Sequence, residues 1–272
     1  MFILVTGAAG YVGAPMVSRL LAAGHTVRAL DNLAFGGAAL LGFYPSGRFT
    51  LVRADIRDPL AAGRAVAGAD AVVHLAGIVG DPACAAQPTL AREVNTAATV
   101  MLHRAGRDAG VARFIFASSC SVYGHSTQIC DEDSPLHPLS LYAETKAAAE
   151  RYLLAARQPG SMACTVLRFA TLYGLAPRMR FDLVANIFAR DAQLLHRVTV
   201  HAPEAWRPMV HVADIAAAIT AVVDAPAALI ADQVFNVADQ GANYRLLDIA
   251  QAAVRACAHG AEIDTRHVAG RN

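Results

Sequence analysis

Apolar residues along this chain fall into short, nearly continuous runs, each followed by a longer Ala-rich stretch with helical spacing. The runs predict strands over residues 2–6, 26–30, 49–53, 71–75, 113–117 and 163–167. Helical patterns lie near 12–23, 89–109 and 141–156. Strands that are apolar on both faces belong to a sheet covered on both sides. Their alternation with helices predicts βαβ units and a doubly wound parallel sheet, an α/β fold. After about residue 169 the rhythm changes: "GLAPRMRFDL" and "VTVHAPEAWRP" are irregular and carry arginine, whereas "HVADIAAAITAVVDA" and "LLDIAQAAVRACA" have helical spacing. The expected division is a larger domain over 1–168 and a smaller C-terminal lobe over 169–272, with some elements of the lobe returning to the sheet.

Composition narrows the functional classes. Hydrophobic residues make up 55% of the 272, and no Pro-, Gly- or Ser-rich linker interrupts them, so a globular chain is expected throughout. Basic and acidic residues number 23 and 22, and a net charge of +1 gives no reason to expect nucleic acid or an anionic membrane surface as partner. Five cysteines form no C-x-x-C pair, which favours reduced thiols and a cytoplasmic location. The opening "MFILVTGAAGYVG" lacks a basic n-region and reads as a buried strand entering a turn, not a signal peptide. No uninterrupted apolar run reaches the length of a membrane span. There is no H-E-x-x-H and no Cys/His cluster, so no metal is expected.

The first strand runs directly into Gly7, Gly10 and Gly13, and a helix starts there. Gly7 permits the tight turn, Gly10 the approach of a pyrophosphate to backbone amides, and Gly13 close packing of helix on sheet. The helix N-terminus adds positive potential, so this strand–turn–helix reads as a Rossmann-like dinucleotide site, with a plain Ala-rich helix start as the alternative. Asp31 closes the second strand, where a carboxylate accepts hydrogen bonds from the adenosine ribose and repels a 2′-phosphate, favouring NAD over NADP. A turn aspartate is the plainer alternative. Asp55 and the "HLAG" segment, with Leu75, Ala76 and Gly77, end further strands at the carboxyl edge, where ligands of open α/β sheets bind. Tyr11, Val12, Asn32 and Ile56, neighbours of these residues, are assigned to the cofactor with them.

Lys146 is the sole lysine, and Tyr142 precedes it by four residues, on the same face of the predicted helix. Tyrosine with a pKa near ~10 is a poor acid or base at neutral pH. A neighbouring ammonium and a positive nicotinamide ring favour the phenolate, which can then remove a hydroxyl proton as hydride leaves. Lysine, a compact point charge, suits this better than arginine. The alternative is an accidental exposed pair on an amphipathic helix, and seven tyrosines among 272 residues make that coincidence rare.

Together the Gly7-x-x-Gly10-x-x-Gly13 turn, Asp31, Asp55 and Tyr142-x-x-x-Lys146 resemble the extended short-chain dehydrogenase/reductase family over residues 2 to about 240. The likeness is to its branch of NAD-dependent nucleotide-sugar epimerases and dehydratases, the UDP-glucose/galactose 4-epimerases among them. The resemblance implies that Ser119, four positions before the tyrosine of "VYG", hydrogen-bonds the reacting oxygen beside Tyr142 and Lys146. It places Asn95 near the active site, and "LRFATLYG", with Phe169 and Thr171, along the nicotinamide and substrate. Arg207 falls where sugar epimerases bind a nucleotide diphosphate, and Arg178 and Arg180 are candidates for the same phosphates; each could equally be a solvated surface arginine. The family's dehydratases and decarboxylases carry carboxylates before "VYG". Here Cys120 and Ser121 stand there, which argues against both reactions. UDP-galactose 4-epimerases have asparagine at the position of Thr171, and related enzymes continue beyond "RHVAGRN" with a segment that completes the sugar-nucleotide site.

The resulting expectation is an NAD-dependent nucleotide-sugar epimerase acting at C4, with a nucleotide-diphosphate sugar as partner. The resemblance also implies a homodimer through helices near 89–109 and 141–156, whose Ala-rich faces would equally suit packing within one chain. A reductase of a keto sugar or other carbonyl needs the same three residues. A non-enzymatic NAD-binding regulator is the alternative of another class, but it has no use for an activated tyrosine.

Overall fold

The computed structural model describes residues 1–157, 162–257 and 260–266. The first half of the chain forms β1 (Phe2–Thr6), α1 (Gly13–Ala22), β2 (Thr26–Asp31), β3 (Phe49–Arg53), α2 (Pro59–Val66), β4 (Ala71–His74), α3 (Asp81–Ala86), α4 (Pro88–Arg92), α5 (Ala98–Asp108) and β5 (Arg113–Ser119). There follow α6 (Leu141–Ala155), β6 (Ala163–Phe169), β7 (Thr171–Tyr173), α7 (Val184–Leu195), β8 (Arg197–His201), β9 (Trp206–His211), α8 (Val212–Asp224), α9 (Ala227–Ile230), β10 (Gln233–Val237), β11 (Asn243–Arg245), α10 (Leu246–Ala256) and β12 (Glu262–Arg266).

Two compact units result. Met1–Phe169, Ala176–Arg178 and Ala213–Val237 form the first. Its seven strands lie in the order β10-β6-β5-β4-β1-β2-β3, all parallel, which is a Rossmann-like sheet. The apolar runs become strands because both faces are covered: all seven residues of β6 and all four of β4 are buried. Phe114 and Phe116 of β5 pack with Leu102 of α5 and Leu153 of α6 in the core. The order reverses between β1 and β4, the crevice where such sheets bind ligands. At the outer edge, Glu132 Oε1 accepts the Asn236 N–H of β10 at 2.7 Å, filling one of the edge groups that would otherwise seek a strand.

Ala170–Leu175, Met179–Val212 and the described residues from Ala238 onward form the second unit. It contains a three-stranded sheet, β11-β9-β7, and the pair β12-β8. Phe188 and Ala192 of α7, Val198 and Val200 of β8, and Ile249 of α10 make its core.

The strands predicted from the apolar runs are present; β5 and β6 extend two residues further, to Ser119 and Phe169, and β4 stops one short, at His74. The single helix expected near 89–109 is instead α4, a π-helical turn at Glu93–Ala97, and α5. π turns of this kind often accompany functional sites, and Asn95 is at the centre of this one. Among the described residues no helix is long and apolar enough to cross a membrane.

Candidate active site

The glycine turn is built by exclusion of side-chain atoms. Gly7 has φ +69°, and a Cβ there would lie 2.7 Å from the Ala76 nitrogen, so the turn rests against the chain leaving β4. A Cβ on Gly13 would lie 2.2 Å from the Gly7 carbonyl oxygen. Val12 supplies no side-chain cap to α1, and the first turn of α1 holds no acidic residue, leaving its amide end suited to an anion. Asp31 accepts the N–H groups of Ala9 at 2.9 Å and Leu33 at 2.8 Å, which fixes its carboxylate between the turn and the loop after β2. Tyr11 is buried, and Asn32 accepts the Ala34 N–H.

Beneath this turn runs a buried chain of hydrogen bonds. Thr99 donates its hydroxyl to the Asn95 carbonyl at 2.8 Å, so it accepts from His74 Nε2 at 2.9 Å. His74 is then the neutral Nε2–H tautomer, and its Nδ1 accepts from Thr6, whose oxygen accepts the Ala76 N–H. Burial pushes the imidazole down to about 3, with the Lys146 charge adding to the effect, in keeping with a neutral ring. The ends of β1 and β4 and the π turn are thereby held in one register.

Asn95 ties the site together. Its amide accepts the Ile78 N–H at 2.8 Å, and it donates to the Ile78 carbonyl and to the Thr145 hydroxyl at 3.1 Å. Thr145 in turn donates to the Tyr142 carbonyl at 2.8 Å. Ser140 caps α6 and donates to Asp81 at 2.5 Å, so the first turn, with half-buried Tyr142, is anchored from two sides. Lys146 is 3% exposed; its Nζ donates to the Ala117 carbonyl at 2.8 Å and lies 4.8 Å from the centroid of Phe116. A Cβ on Gly77 would be 3.1 Å from Asn95 Oδ1 and 3.6 Å from Lys146 Nζ, so Gly77, Asn95 and Lys146 meet at one point. Burial lowers Lys146 to about 8, partly offset by Cys84 and Glu150. Ser119 ends β5, and its oxygen accepts from the Ser121 hydroxyl at 2.9 Å and the Ser121 N–H.

Other residues singled out from the sequence have particular partners. Asp55 is gripped by Arg57, whose Nε and Nη2 reach it at 3.1 Å and 2.8 Å, and this holds the carboxyl below its ordinary range. Ile56 is buried in the core, as is Phe169 at the end of β6, while Leu75 is half-buried. The Arg178 guanidinium stacks on Phe35 at 4.0 Å, and Arg180 pairs with Asp182. Arg207 is exposed on β9 and donates to the Trp206 carbonyl at 2.7 Å; Thr171 of β7 pairs in register with Met209 of the same strand as Arg207.

Sequence reasoning missed a buried network behind these groups, in which Ser118 and Arg168 both bind Glu150. Its one linear signal is an acidic residue four positions after the lysine on an otherwise Ala-rich helix face.

The glycine cradle, the fixed Asp31 and the cluster of Gly77, Asn95 and Lys146 fit a nicotinamide dinucleotide. The family model described as the NAD dependent epimerase/dehydratase family matches residues 3–238. A UDP-glucose 4-epimerase of Mycolicibacterium smegmatis is 39% identical over 175 residues, covering 63% of this chain and 56% of that protein. A 3 beta-hydroxysteroid dehydrogenase/Delta 5-->4-isomerase of Mycobacterium tuberculosis is 34% identical over 187 residues, 66% of this chain and 49% of that one. The chain thus spans about half the length of these curated relatives. The solved UDP-glucose 4-epimerase of Thermus thermophilus, in complex with NAD, is 28% identical with a TM-score of 0.84, covering 100% of this chain and 88% of that one.

Proposed function

The chain belongs to the NAD-dependent epimerase/dehydratase family, and from that premise we propose that it epimerises a nucleotide-diphosphate sugar at C4. The convergence of Gly77, Asn95 and Lys146 at the carboxyl edge of the sheet, with Tyr142 one helical turn away, carries the proposal. The glycine turn and the N-terminus of α1 would hold the pyrophosphate of NAD, and Asp31 its adenosine ribose. When bound, NAD supplies a reversible hydride acceptor.

The residues of this chain manage the proton. Tyr142 takes it from the C4 hydroxyl and later returns it, with Ser119 donating a hydrogen bond to the same oxygen. The Lys146 ammonium beside them favours the phenolate. Fixed at Ala117, it also stands ready to bind a ribose hydroxyl. Inversion requires that the keto sugar present its opposite face before the proton returns. Arg207, with Arg178 and Arg180, is proposed to hold the diphosphate.

UDP-glucose is the first substrate to test, since relatives with that activity are the basis for the choice. Incubation without added cofactor, followed by NMR, should reveal UDP-galactose with no net change at 340 nm. Tyr142→Phe should abolish turnover while nucleotide released on denaturation stays near one equivalent. No turnover across a panel of nucleotide sugars counts against the proposal. The hydroxysteroid dehydrogenase relative favours a second reading, a dehydrogenase that exchanges its cofactor, and net NADH formation with an alcohol substrate would select it.

A further inference from the structure

One helical turn beyond Lys146, Glu150 and Arg168 form an ion pair that is almost wholly buried, at 1% and 4% exposure. Arg168 Nη2 and Nε reach Glu150 Oε2 at 2.8 Å and 3.1 Å. Arg168 also donates to the Tyr123 hydroxyl at 2.8 Å and the Glu132 carbonyl at 3.1 Å, and the Ser118 hydroxyl donates to Glu150 Oε1. A buried pair of this kind adds little net stability over apolar residues of the same volume. Its position relative to the candidate site supplies a different reason for it.

Three consecutive residues at the end of β5 each make one link. The Ala117 carbonyl receives Lys146, the Ser118 hydroxyl binds Glu150, and Ser119 carries the hydroxyl assigned to the substrate. Lys146 and Glu150, four apart on α6, share a helix face. We propose that Glu150, held in place by Arg168 and Ser118, is a positioning residue that keeps Lys146 protonated in its dry site and so sets the pH range in which Tyr142 is activated. The role in activation rests on the Ser119–Tyr142–Lys146 assignment above; the effect on Lys146 does not.

Cys84 and Glu150 both offset the burial of Lys146, and of the two Glu150 holds the standing carboxylate, in its ion pair with Arg168. His74 of β4 is neutral. Cys84 of α3 donates its Sγ–H to the Ile78 carbonyl, and burial raises its pKa, so it stays a thiol. Tyr142 lies one turn before Lys146 on α6, and its charge state is the one to be controlled. Arg168 grips the carboxylate from β6, and Glu150 still acts to raise Lys146.

The single lysine makes the test direct. Protein grown on 13C,15N-lysine gives one lysine side-chain signal, and its Cε shift against pH titrates Lys146, as purified and without substrate. Glu150→Gln should lower that titration by about one unit. Glu150→Asp, which keeps the charge, should leave it close to wild type. Should Glu150→Gln not fold because Arg168 loses its counter-ion, the double variant Glu150→Gln/Arg168→Met removes both charges and should still titrate lower than wild type. An unmoved titration in whichever charge-removing variant folds overturns the proposal. So does an equal shift in Glu150→Asp, which would make the effect one of packing. In active protein, the alkaline limb of the kcat profile should move with the lysine signal. Because the titration needs no turnover, failure of the epimerase proposal leaves this result readable.

Discussion

Replacing Gly13 with alanine isolates the cost of filling the cofactor turn. The new Cβ would sit 2.2 Å from the Gly7 carbonyl oxygen and 2.6 Å from both Cα and the carbonyl oxygen of Ala8. Ordinary contact begins near ~3.4 Å, so the overlap is roughly 1 Å and falls on backbone atoms that cannot rotate away. The first turn of α1 must therefore move by about that distance. Overpacking of this kind costs about 1–3 kcal/mol, while exchange of glycine for alanine in a helix returns up to about 1 kcal/mol. A net loss of about 1–2 kcal/mol lowers the melting temperature by roughly 2–8 °C in a chain of this size. Cofactor binding should suffer more. Losing even one charge-assisted hydrogen bond to phosphate, worth about 1.5–3 kcal/mol, weakens NAD by roughly 10- to 100-fold. Calorimetric titration of NAD into cofactor-stripped protein, beside thermal melts, measures both. Gly63→Ala is the matched control, because a Cβ there meets nothing within 4 Å in the middle of α2. It should stabilise by about 0.5–1 kcal/mol and leave NAD affinity unchanged. If Gly13→Ala binds NAD within about threefold of wild type, the turn is not the pyrophosphate site.

Asp31→Ala removes the acceptor for two backbone N–H groups and the charge facing the ribose; NAD affinity should fall and the NADP/NAD preference should rise at least about tenfold by direct titration. Lys146→Met should inactivate the protein yet stabilise it at pH 7 by about 1–3 kcal/mol in urea melts, since burial depresses the lysine from 10.5 to about 8. Between those values the unfolded chain holds a proton that the folded chain has lost, so wild-type stability rises with pH there and the advantage of the variant shrinks. His74, depressed from 6.5 to about 3, should make wild-type stability fall as pH drops below 6.5, with a slope of about 1.4 kcal/mol per pH unit that is absent from His74→Gln.

Much of the frame could be read from linear patterns because its causes are local. Gly7 and Gly13 stand where a strand meets a helix, and the glycine spacing reports backbone contact within a few residues. Tyr142 and Lys146 are one turn apart, so their common face follows from helical geometry. What depends on distant chain was hidden. The Glu150–Arg168 pair joins α6 to β6, and no spacing rule links those positions. At the break, Glu93–Ala97, Asn95 reaches across to Ile78, while the sequence there has ordinary helical periodicity. Arg178 carried a basic charge in an irregular segment, and nothing near it in sequence indicated the ring of Phe35. Helix α2 has a local signal that apolar periodicity does not show: Asp58 accepts the Leu60 and Ala61 N–H groups, and Pro59 occupies the first turn.

The return of β10 to the sheet bears on how the protein is made. The Thr165 hydroxyl of β6 bonds the Ile230 carbonyl 65 residues later, and β10 then pairs along β6 from Thr165 to Phe169. On the ribosome, β6 emerges long before its outer partner, and for that interval its residues, all buried in the finished fold, form an open edge. Unpaired edges rich in apolar side chains recruit other strands, so nascent chains halted in this interval are the ones most exposed to aggregation and most in need of a chaperone. A fragment cut at Phe169 would freeze the protein at that stage, whereas one that also supplies residues 213–237 would carry its own cover for β6.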